Sequence, residues 1–234
     1  MEFTQGVRFD ALGLTEEVQC ALKKKNIEES TPVQAGCIPP MREWKDVIAK
    51  APTGTGKTFA FGIPIIEHID PESEEVQAVI LAPTRELAMQ ITDEMRDIAV
   101  CHEGVRLVCL YGGQPIGKQI DALKRRPQIV VATPGRLSDH MKRRTVTLGQ
   151  VQTVVLDEAD RMLDMGFIHD VTRILDKIPS RKNLGMFSAT ISREVMDISW
   201  VYQRDPEEIT VQATKENKPD ILPVSYTHLR AHET

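Results

Sequence analysis

The segment Ala51–Thr58 reads APTGTGKT, and it is the most informative stretch of this chain for its architecture. A strand-like run, Asp46–Ala49, precedes it, and a helix-like run, Gly56–Ile69, begins inside it. A strand, a glycine-containing turn and a helix in this order are typical of a phosphate-binding loop. Glycines let backbone N–H groups approach phosphate oxygens, and the helix N-terminus adds a favourable dipole. The segment therefore predicts nucleotide binding.

The polar residues of this loop have predicted tasks. Lys57 supplies a positive charge for the β and γ phosphates, and Thr58 offers a hydroxyl to Mg²⁺. Ala51 stands where the strict pattern has glycine, and a small residue suffices there if its backbone angles are accessible to alanine. An ordinary glycine-rich turn with an unrelated lysine is the alternative, which the strand-to-helix context disfavours. The predicted nucleotide-binding residues of the loop are Pro52, Thr53, Gly54, Thr55, Gly56, Lys57 and Thr58.

The rest of the chain alternates short apolar runs with amphipathic stretches. The runs that read as buried strands are Asp46–Ala49, Ala78–Leu81, Arg106–Leu110, Ile129–Val131, Thr153–Leu156, Leu184–Phe187 and Ile209–Val211. Helical spacing occurs in Thr15–Asn26, Gly56–Ile69, Glu86–Val100, Ile116–Lys124 and Ile168–Ile178. This alternation predicts an α/β fold with a mostly parallel β-sheet and helices on both faces. Ligands of such a sheet bind at the carboxyl ends of its strands.

A second motif, DEAD at Asp157–Asp160, follows the buried run Thr153–Leu156 and leads into a helix. Acidic side chains at the end of a core strand are unfavourable unless cations or water satisfy them. A P-loop brings Mg²⁺, whose coordination shell needs a second strand end. We expect Asp157 to hold Mg²⁺ directly or through its waters, and Glu158 to orient and deprotonate the attacking water. A plain acidic helix N-terminus is the alternative, which the upstream loop disfavours.

Length, composition and charge limit the remaining possibilities. The 234 residues are 41% hydrophobic and 27% charged, which predicts one large globular domain or one domain with appendages. A net charge of −5 excludes a globally basic nucleic-acid binder, so any such surface must be a local patch. No apolar run approaches the roughly 18 residues of a membrane helix, so we expect no membrane association. We also expect a monomer. The cysteines lack metal-site spacing and favour a reduced, cytoplasmic setting: Cys20, Cys37, Cys101 and Cys109.

Taken together, these motifs resemble those of the DEAD-box RNA helicases, over nearly all of Phe9–Ile221. The family's motifs occur in the family's order: NIEESTPVQ at Asn26–Gln34, the P-loop, PTREL at Pro83–Leu87, Gly112–Gly113, TPGR at Thr133–Arg136, DEAD, and SAT at Ser188–Thr190. The resemblance implies a RecA-like P-loop fold. It also implies an ATP-dependent RNA-remodelling enzyme that uses ATP and Mg²⁺ and binds RNA.

The resemblance also implies a role for individual residues. In the family, the residue matching Gln34 reads the adenine edge, and the aromatic matching Phe9 stacks on the adenine. The residues that line the path of the RNA backbone are Pro83, Thr84, Arg85, Gly112, Gly113, Thr133, Pro134, Gly135 and Arg136. The hydroxyls of the SAT motif link the acidic motif to movement between domains. The implied catalytic and coupling set is Lys57, Asp157, Glu158, Asp160, Ser188 and Thr190, with Thr58 and Asp157 as the metal-holding pair.

Physical chemistry agrees with an RNA path, because PTREL and TPGR each follow a buried strand and none of their side chains is an evident base reader. Binding should therefore be insensitive to RNA sequence and weakened by salt. Some of these residues have simpler alternatives. Arg85 could pair with Glu86 or Asp93, Gln34 could be a surface turn residue, and Phe9 could be a satellite of the core. The two tryptophans, Trp44 and Trp200, have no motif context and are predicted to pack.

The family's full type has two RecA-like domains, and arginines of the second reach the γ phosphate. Neither an HRxGRxxR nor an RGxD string occurs in this chain. We therefore expect an N-terminal helix and Q-motif segment at 1–35, a RecA-like ATP-binding domain at 36–213, the start of an interdomain linker at 214–221 and a disordered or non-native tail at 222–234.

The expected function is that of the ATP-binding half of an RNA helicase, which couples ATP hydrolysis to sequence-independent RNA binding and duplex unwinding. Alone, it should lack efficient catalysis. A non-catalytic nucleotide- or RNA-binding scaffold is the alternative. A transporter ATPase would need a second signature such as LSGGQ, which the sequence lacks.

Overall fold

The computed structural model describes residues 2–212, and the expected linker at 214–221 and tail at 222–234 lie outside them. One sheet contains β1 (Val47–Lys50), β2 (Ala78–Leu81), β3 (Leu107–Leu110), β4 (Ile129–Ala132), β5 (Thr153–Leu156), β6 (Asn183–Ser188) and β7 (Glu207–Thr210). The strand order is β3-β4-β2-β5-β6-β1-β7, and every pairing is parallel. Each strand lies within two residues of a predicted one, which confirms the parallel α/β prediction.

Nine α-helices surround the sheet within the described residues: α1 (Glu16–Lys24), α2 (Pro32–Arg42), α3 (Lys57–His68), α4 (Arg85–Ile98), α5 (Ile116–Leu123), α6 (Pro134–Lys142), α7 (Ala159–Asp164), α8 (Ile168–Asp176) and α9 (Arg193–Tyr202). The sequence did not indicate α2, α6 or α9. In α2, Pro39 and Pro40 lie inside the helix, where proline normally disfavours it. A capping box at Thr31 and Gln34 starts α2, and burial of its apolar face outweighs the prolines.

Two apolar layers cover the two faces of the sheet. Alternate strand residues, such as Ala49 and Ile80, pack with α1 to α4 in one cluster. Their neighbours, such as Ile48 and Leu81, pack with α5 to α9 in the other. A strand buried on both faces reads as a continuous apolar run, which is why the strands could be found in the sequence.

The prediction that the cysteines are reduced is wrong for one pair. Cys20 in α1 and Cys101, after the end of α4, form a disulfide with a Cα–Cα distance of 6.2 Å. Cys37 and Cys109 are free thiols. The two bonded residues are 81 positions apart in the chain, and sequence spacing alone carries no information about such a pairing.

The prediction that both tryptophans pack is also wrong for one of them. Trp44 stacks on His68 at a ring-centroid distance of 3.7 Å, and the Lys182 ammonium lies 4.1 Å from its ring centroid. Trp200 is 72% exposed. Helix α9 buries Val195 and Ile198 on one face, and Trp200 lies outside that face.

Candidate nucleotide and RNA site

Three neighbouring strands bring the main motifs to one edge of the sheet. The order β5-β6-β1 places the ends of these strands side by side, with DEAD after β5, SAT at the end of β6 and the P-loop after β1. The backbone N–H of Ala51 donates to the carbonyl of Ser188 at 2.9 Å, and that of Asp157 donates to the carbonyl of Leu81 at 2.9 Å. These bonds continue the hydrogen bonding between neighbouring strands past the strand ends, and they fix the position of the first residue of each motif.

A cleft of about 540 Å³ lies at this edge, and we call it the P-loop cleft. Its lining residues are Thr53, Gly54, Gly56, Lys57, Thr58, Thr84, Glu86, Leu87, Gln90, Glu94, Asp157, Glu158 and Arg161. The structure thus brings together Lys57, Thr58, Asp157 and Glu158, which two distant parts of the sequence supply. A cleft of this size is in the range of small-molecule and cofactor sites.

The P-loop has the backbone that its glycines allow. Gly54 and Gly56 have φ angles of 81° and 84°, which are in the left-handed region. At Gly56 a Cβ atom would also lie 2.5 Å from Nε2 of Gln34, so glycine is required there on two grounds. Lys57 is buried, and its ammonium donates to the carbonyl of Ala51 at 3.3 Å. The lysine thus lies over its own loop, which holds its charge inside the cleft.

Gln34 contacts this loop rather than forming a surface turn. Its Nε2 donates to the carbonyl of Gly56 at 3.0 Å, and its Oε1 accepts from the N–H of Thr31 at 2.9 Å. The side chain is buried. An amide carries two N–H donors and an oxygen with two lone pairs, so one donor and one lone pair remain for another partner.

Asp157 is a buried carboxylic acid at the floor of the cleft, 3% exposed. Burial raises the pKa of Asp157 to about 6, although the Lys57 ammonium and the N–H of Glu158 oppose this shift. That N–H donates to Oδ1 of Asp157 at 3.0 Å. A carboxylate that is costly to ionise in the free protein is a group that a cation would satisfy.

Glu158 has a backbone conformation that side chains rarely adopt, with a φ of 48°. A left-handed residue other than glycine costs about 1–2 kcal/mol. Its Oε2 accepts from Nη1 of Arg161 at 3.3 Å, and both residues line the P-loop cleft. Strain of this kind is often found at functional sites.

Asp160 joins the acidic motif to the SAT motif. Its Oδ2 accepts from the N–H of Thr190 at 2.8 Å and from the Thr190 hydroxyl at 2.7 Å, while its own N–H donates to the Ser188 hydroxyl at 3.1 Å. Burial alone would raise the pKa of Asp160, but hydrogen bonds from Thr190, Ser188 and Arg161 outweigh it and lower this pKa. The two motifs are therefore one hydrogen-bonded unit.

The residues present suit Mg²⁺ held together with phosphates. Within residues 2–212 no group of three or more His, Cys, Asp or Glu residues could hold a metal ion by itself. Mg²⁺ usually keeps several waters and uses one or two carboxylates plus substrate phosphates. Asp157 and the Thr58 hydroxyl, which line one cleft with Lys57, match that donor chemistry.

The predicted RNA residues lie next to the cleft, around the carboxyl ends of β2, β3 and β4. Thr84 caps α4 by accepting from the N–H of Leu87 at 3.2 Å, and it also lines the cleft. In the described part of the chain, Arg85 forms no ion pair with Glu86 or Asp93. Its guanidinium carbon lies 5.2 Å from the ring centroid of Tyr111. This leaves the charge of Arg85 without a neutralising carboxylate. Pro83, Gly112, Gly113, Thr133, Pro134 and Gly135 lie in the same strand-end loops or at the first residues of α6.

Arg136 is held by a side chain that the sequence did not indicate. Its Nη1 donates to Oε1 of Gln119 at 3.2 Å and to the carbonyl of Gln114 at 3.0 Å. Gln119 is 2% exposed, and its Nε2 donates to the carbonyl of Tyr111 at 2.9 Å. Gln119 therefore connects the loop that contains Gly112–Gly113 to the guanidinium of the TPGR motif.

His140 completes this network. Its Nε2 lies 3.1 Å from Oε1 of Gln119, and its Nδ1 lies 2.8 Å from the hydroxyl of Thr145. Burial, followed by the charge of Arg136, lowers the pKa of His140. A neutral ring that donates from Nε2 and accepts at Nδ1 satisfies both contacts.

Phe9 lies in the core. It is 4% exposed and belongs to the apolar cluster on the α1–α4 face of the sheet. Its burial supports the core alternative over stacking on adenine.

The sequence predicted helix α4, but it did not indicate that the polar face of this helix lines the P-loop cleft. Glu86, Gln90 and Glu94 of α4 line the cleft, and Glu94 helps to raise the pKa of Asp157. Their spacing of four residues places them on one helix face, and this was the signal available in the sequence.

Comparison with known proteins agrees with the motifs. The model of the DEAD/DEAH box helicase family matches residues 31–198. The chain is 45% identical over 225 residues to a DEAD-box ATP-dependent RNA helicase, CshA, of Geobacillus kaustophilus, covering 96% of this chain and 47% of that protein. It is 44% identical over 227 residues to the ATP-dependent RNA helicase CshA of Limosilactobacillus reuteri, covering 97% and 45%. The chain thus spans about half the length of these relatives.

In residues 2–212 the structure has no helix long and apolar enough to span a bilayer.

The comparison with solved structures also finds helicase relatives. A DEAD box protein from Methanococcus jannaschii superposes with a TM-score of 0.83 at 38% identity, covering 88% of this chain and 56% of that one. A hypothetical ATP-dependent RNA helicase from Sulfolobus tokodaii gives a TM-score of 0.78 at 37% identity, covering 84% and 57%. These likenesses confirm the predicted RecA-like fold. With a family model that covers most of its length and this agreement in fold, the chain belongs to the DEAD/DEAH box helicase family.

Proposed function

We propose that this chain binds ATP and Mg²⁺ in the P-loop cleft and single-stranded RNA at the adjacent strand ends, as the first half of an ATP-dependent helicase. The observation that carries the proposal is that Lys57 and Asp157, a hundred residues apart in the chain, line one cleft. The P-loop N–H groups and Lys57 hold the phosphates, and Thr58 and Asp157 hold the metal ion. Glu158 orients and deprotonates the attacking water.

The proposed domain limits are those given by the motifs, with the Q-motif segment at 1–35 and the ATP-binding domain at 36–213. Gln34 uses its free donor and lone pair for the adenine edge while its other atoms hold Gly56 and Thr31 in place. The proposal includes a monomer located in the cytoplasm.

The RNA part of the proposal uses the sugar-phosphate backbone only. Arg85 and Arg136 lie at neighbouring strand ends, and neither is neutralised by a carboxylate in the described residues. Guanidinium groups and exposed glycine N–H groups bind phosphate oxygens without reading bases. The Asp160, Ser188 and Thr190 unit would carry movement from the hydrolysis site to a second domain. Duplex unwinding is a property that we assign to the two-domain protein.

We expect Lys57→Met to weaken ADP binding about ten- to hundredfold. Methionine keeps an unbranched apolar stem in the buried position, but it removes the charged donor to the phosphates, which is worth about 1.5–3 kcal/mol. Titration calorimetry with ADP and Mg²⁺ measures the affinity, and thermal unfolding checks the fold. Lys24→Met on α1 is the matched control and should bind like the parent protein. Unchanged ADP affinity in Lys57→Met would overturn the proposal.

We expect Gln119→Leu to weaken RNA binding about tenfold while leaving ADP affinity unchanged. Leucine fills the buried space but releases Arg136 and the loop of Gly112 and Gly113 from their shared partner. Filter binding of a single-stranded RNA at low salt measures the effect. Arg136→Ala should give a similar loss, and the double variant should lose no more than either alone, because the two side chains act through one contact. Additive losses would show that Gln119 does not act through Arg136.

A further inference from the structure

A second concavity, of about 520 Å³, runs along the outer edge of the sheet, and we call it the β3 groove. Its sides are α4 and α5, and its floor is β3. Strand β3 pairs only with β4, so its other edge has no strand partner among the described residues. None of the family motifs falls inside the groove, and the proposed function uses only its end near Gln114 and Gln119.

The β3 groove is positively charged in a protein that is negative overall. Its lining contains four cations and one carboxylate, in a chain of net charge −5. The cations are Arg96, Arg106, Lys118 and Arg125, and the carboxylate is Asp93. Only Arg96 is paired with that carboxylate, at 2.7 Å. The groove therefore attracts an anion.

The remaining cations are available to a ligand. Arg106 donates to the backbone carbonyls of Gly104 at 3.1 Å and Arg126 at 3.0 Å, which fixes its position without neutralising its charge. Lys118 and Arg125 are exposed, and within residues 2–212 neither has an ion-pair or hydrogen-bond partner for its side chain. Lys118 lies in α5 and Arg125 lies just after its end, and both line this one side of the groove. Charges held on one face, with no partners, favour an extended polyanion.

One end of the groove reaches the proposed RNA residues. Tyr111, Gln114 and Gln119 line the groove. Tyr111 lies beneath the Arg85 guanidinium, and the other two accept from Arg136. The groove continues from there to Arg106 and Pro127, at the opposite end of β3. An anionic chain bound at the strand ends can therefore pass directly into it.

We infer that the β3 groove binds the flank of the single-stranded RNA whose central part lies on Arg85 and Arg136. The inference rests on the proposed RNA binding and adds a second, basic segment to it. RNA fits the groove better than an acidic protein segment does, because the groove opens onto phosphate-binding residues. The binding follows the rule for single strands, in which cations track the phosphates and bases contact apolar or aromatic side chains. Exposed Met89 and half-buried Tyr111 offer such contacts.

The test compares two RNA lengths in the 234-residue chain. An RNA of about 5 nucleotides covers only the strand ends, and one of about 15 nucleotides also reaches the groove. The double variant Lys118→Ala/Arg125→Ala should bind the longer RNA about tenfold more weakly than the parent at low salt and bind the shorter RNA equally well. Its salt dependence for the longer RNA should fall by about 1.4 in slope, because each lost phosphate contact on a single strand removes about 0.7.

Lys23→Ala/Lys24→Ala on α1 removes the same charge outside the groove, and this control should keep the affinity and slope of the parent. Both pairs of side chains are exposed, and thermal unfolding checks that all variants fold. Equal loss in both double variants, or no loss in either, would overturn the inference. Binding of neither RNA by the parent would overturn the RNA-binding proposal and this inference with it. A third outcome would assign the groove to an acidic protein segment instead of RNA. In that case fluorescent polyglutamate binds the parent but not Lys118→Ala/Arg125→Ala, and this double variant still binds the longer RNA more tightly than the shorter one.

Discussion

The chain alone should bind ADP and Mg²⁺ yet hydrolyse ATP at a rate that RNA barely raises, and joining a second RecA-like domain to it should raise turnover about 10³- to 10⁵-fold. The reason is chemical. An arginine that reaches the γ phosphate is worth about that factor in related P-loop enzymes. The cations that line the P-loop cleft are Lys57 and Arg161, and Arg161 already contacts Glu158 at 3.3 Å. Neither replaces an arginine that a second domain brings to the phosphates.

The measurement is steady-state phosphate release, with and without single-stranded RNA. The chain is assayed alone and fused to the remaining part of the Geobacillus kaustophilus relative, to which it is 45% identical over 225 residues. Glu158→Gln in the fusion should lose about 10²- to 10⁴-fold in turnover while keeping ADP affinity, because the amide cannot accept the proton of water. The exposed Glu72→Gln is the matched control. Robust RNA-stimulated turnover by the chain alone would contradict the two-domain requirement. Equal turnover by Glu158→Gln would favour the non-catalytic scaffold.

The sheet could be predicted because its strands are buried on both faces. Runs such as Val79–Leu81 or Val154–Leu156 have no polar alternation, and they stand out from the amphipathic helices around them. Helix α2 could not be predicted, because Pro39 and Pro40 disfavour a helix locally. Only the burial of its apolar side chains against α3 and the sheet outweighs this local preference. Strand order was also inaccessible, because residue patterns fix which segments are strands but not which strands are neighbours.

Some residues of the candidate site could likewise be predicted from the sequence, and others could not. Motif residues such as Lys57 and Asp157 could be predicted because a strand, a turn and a helix N-terminus place them at the ligand edge. Gln119 and His140 could not, because their role depends on contacts across α5, α6 and the β3–α5 loop. Neither residue belongs to a motif, and a lone buried glutamine reads as a core polar residue. Such supporting side chains are visible only after the fold is known.

Asp157→Asn should make the ligand-free protein more stable at pH 8, by up to about 3 kcal/mol. Burial raises the pKa of Asp157 to about 6, whereas the unfolded chain has the ordinary value near 4. Below pH 4 both states carry the neutral acid, and the stability that this group contributes is fully present. As the pH rises, the unfolded state ionises first, and that stability is lost by the time the pH has passed 6. A difference of about two pKa units corresponds to about 3 kcal/mol.

Asparagine imitates the neutral acid at every pH, so the advantage of Asp157→Asn should fall to about half at pH 5. Thermal unfolding without nucleotide should show a rise of roughly 6–12 °C at pH 8 for a domain of this size. Asp197→Asn, an exposed residue in the middle of α9, should change neither value. Adding ADP and Mg²⁺ should narrow or reverse the difference, because the cation stabilises only the ionised parent. A variant that is less stable than the parent at pH 8 would show that Asp157 helps to hold the fold. The expected pattern instead means that the protein gives up stability at this strand end to keep a carboxylate ready for a metal ion.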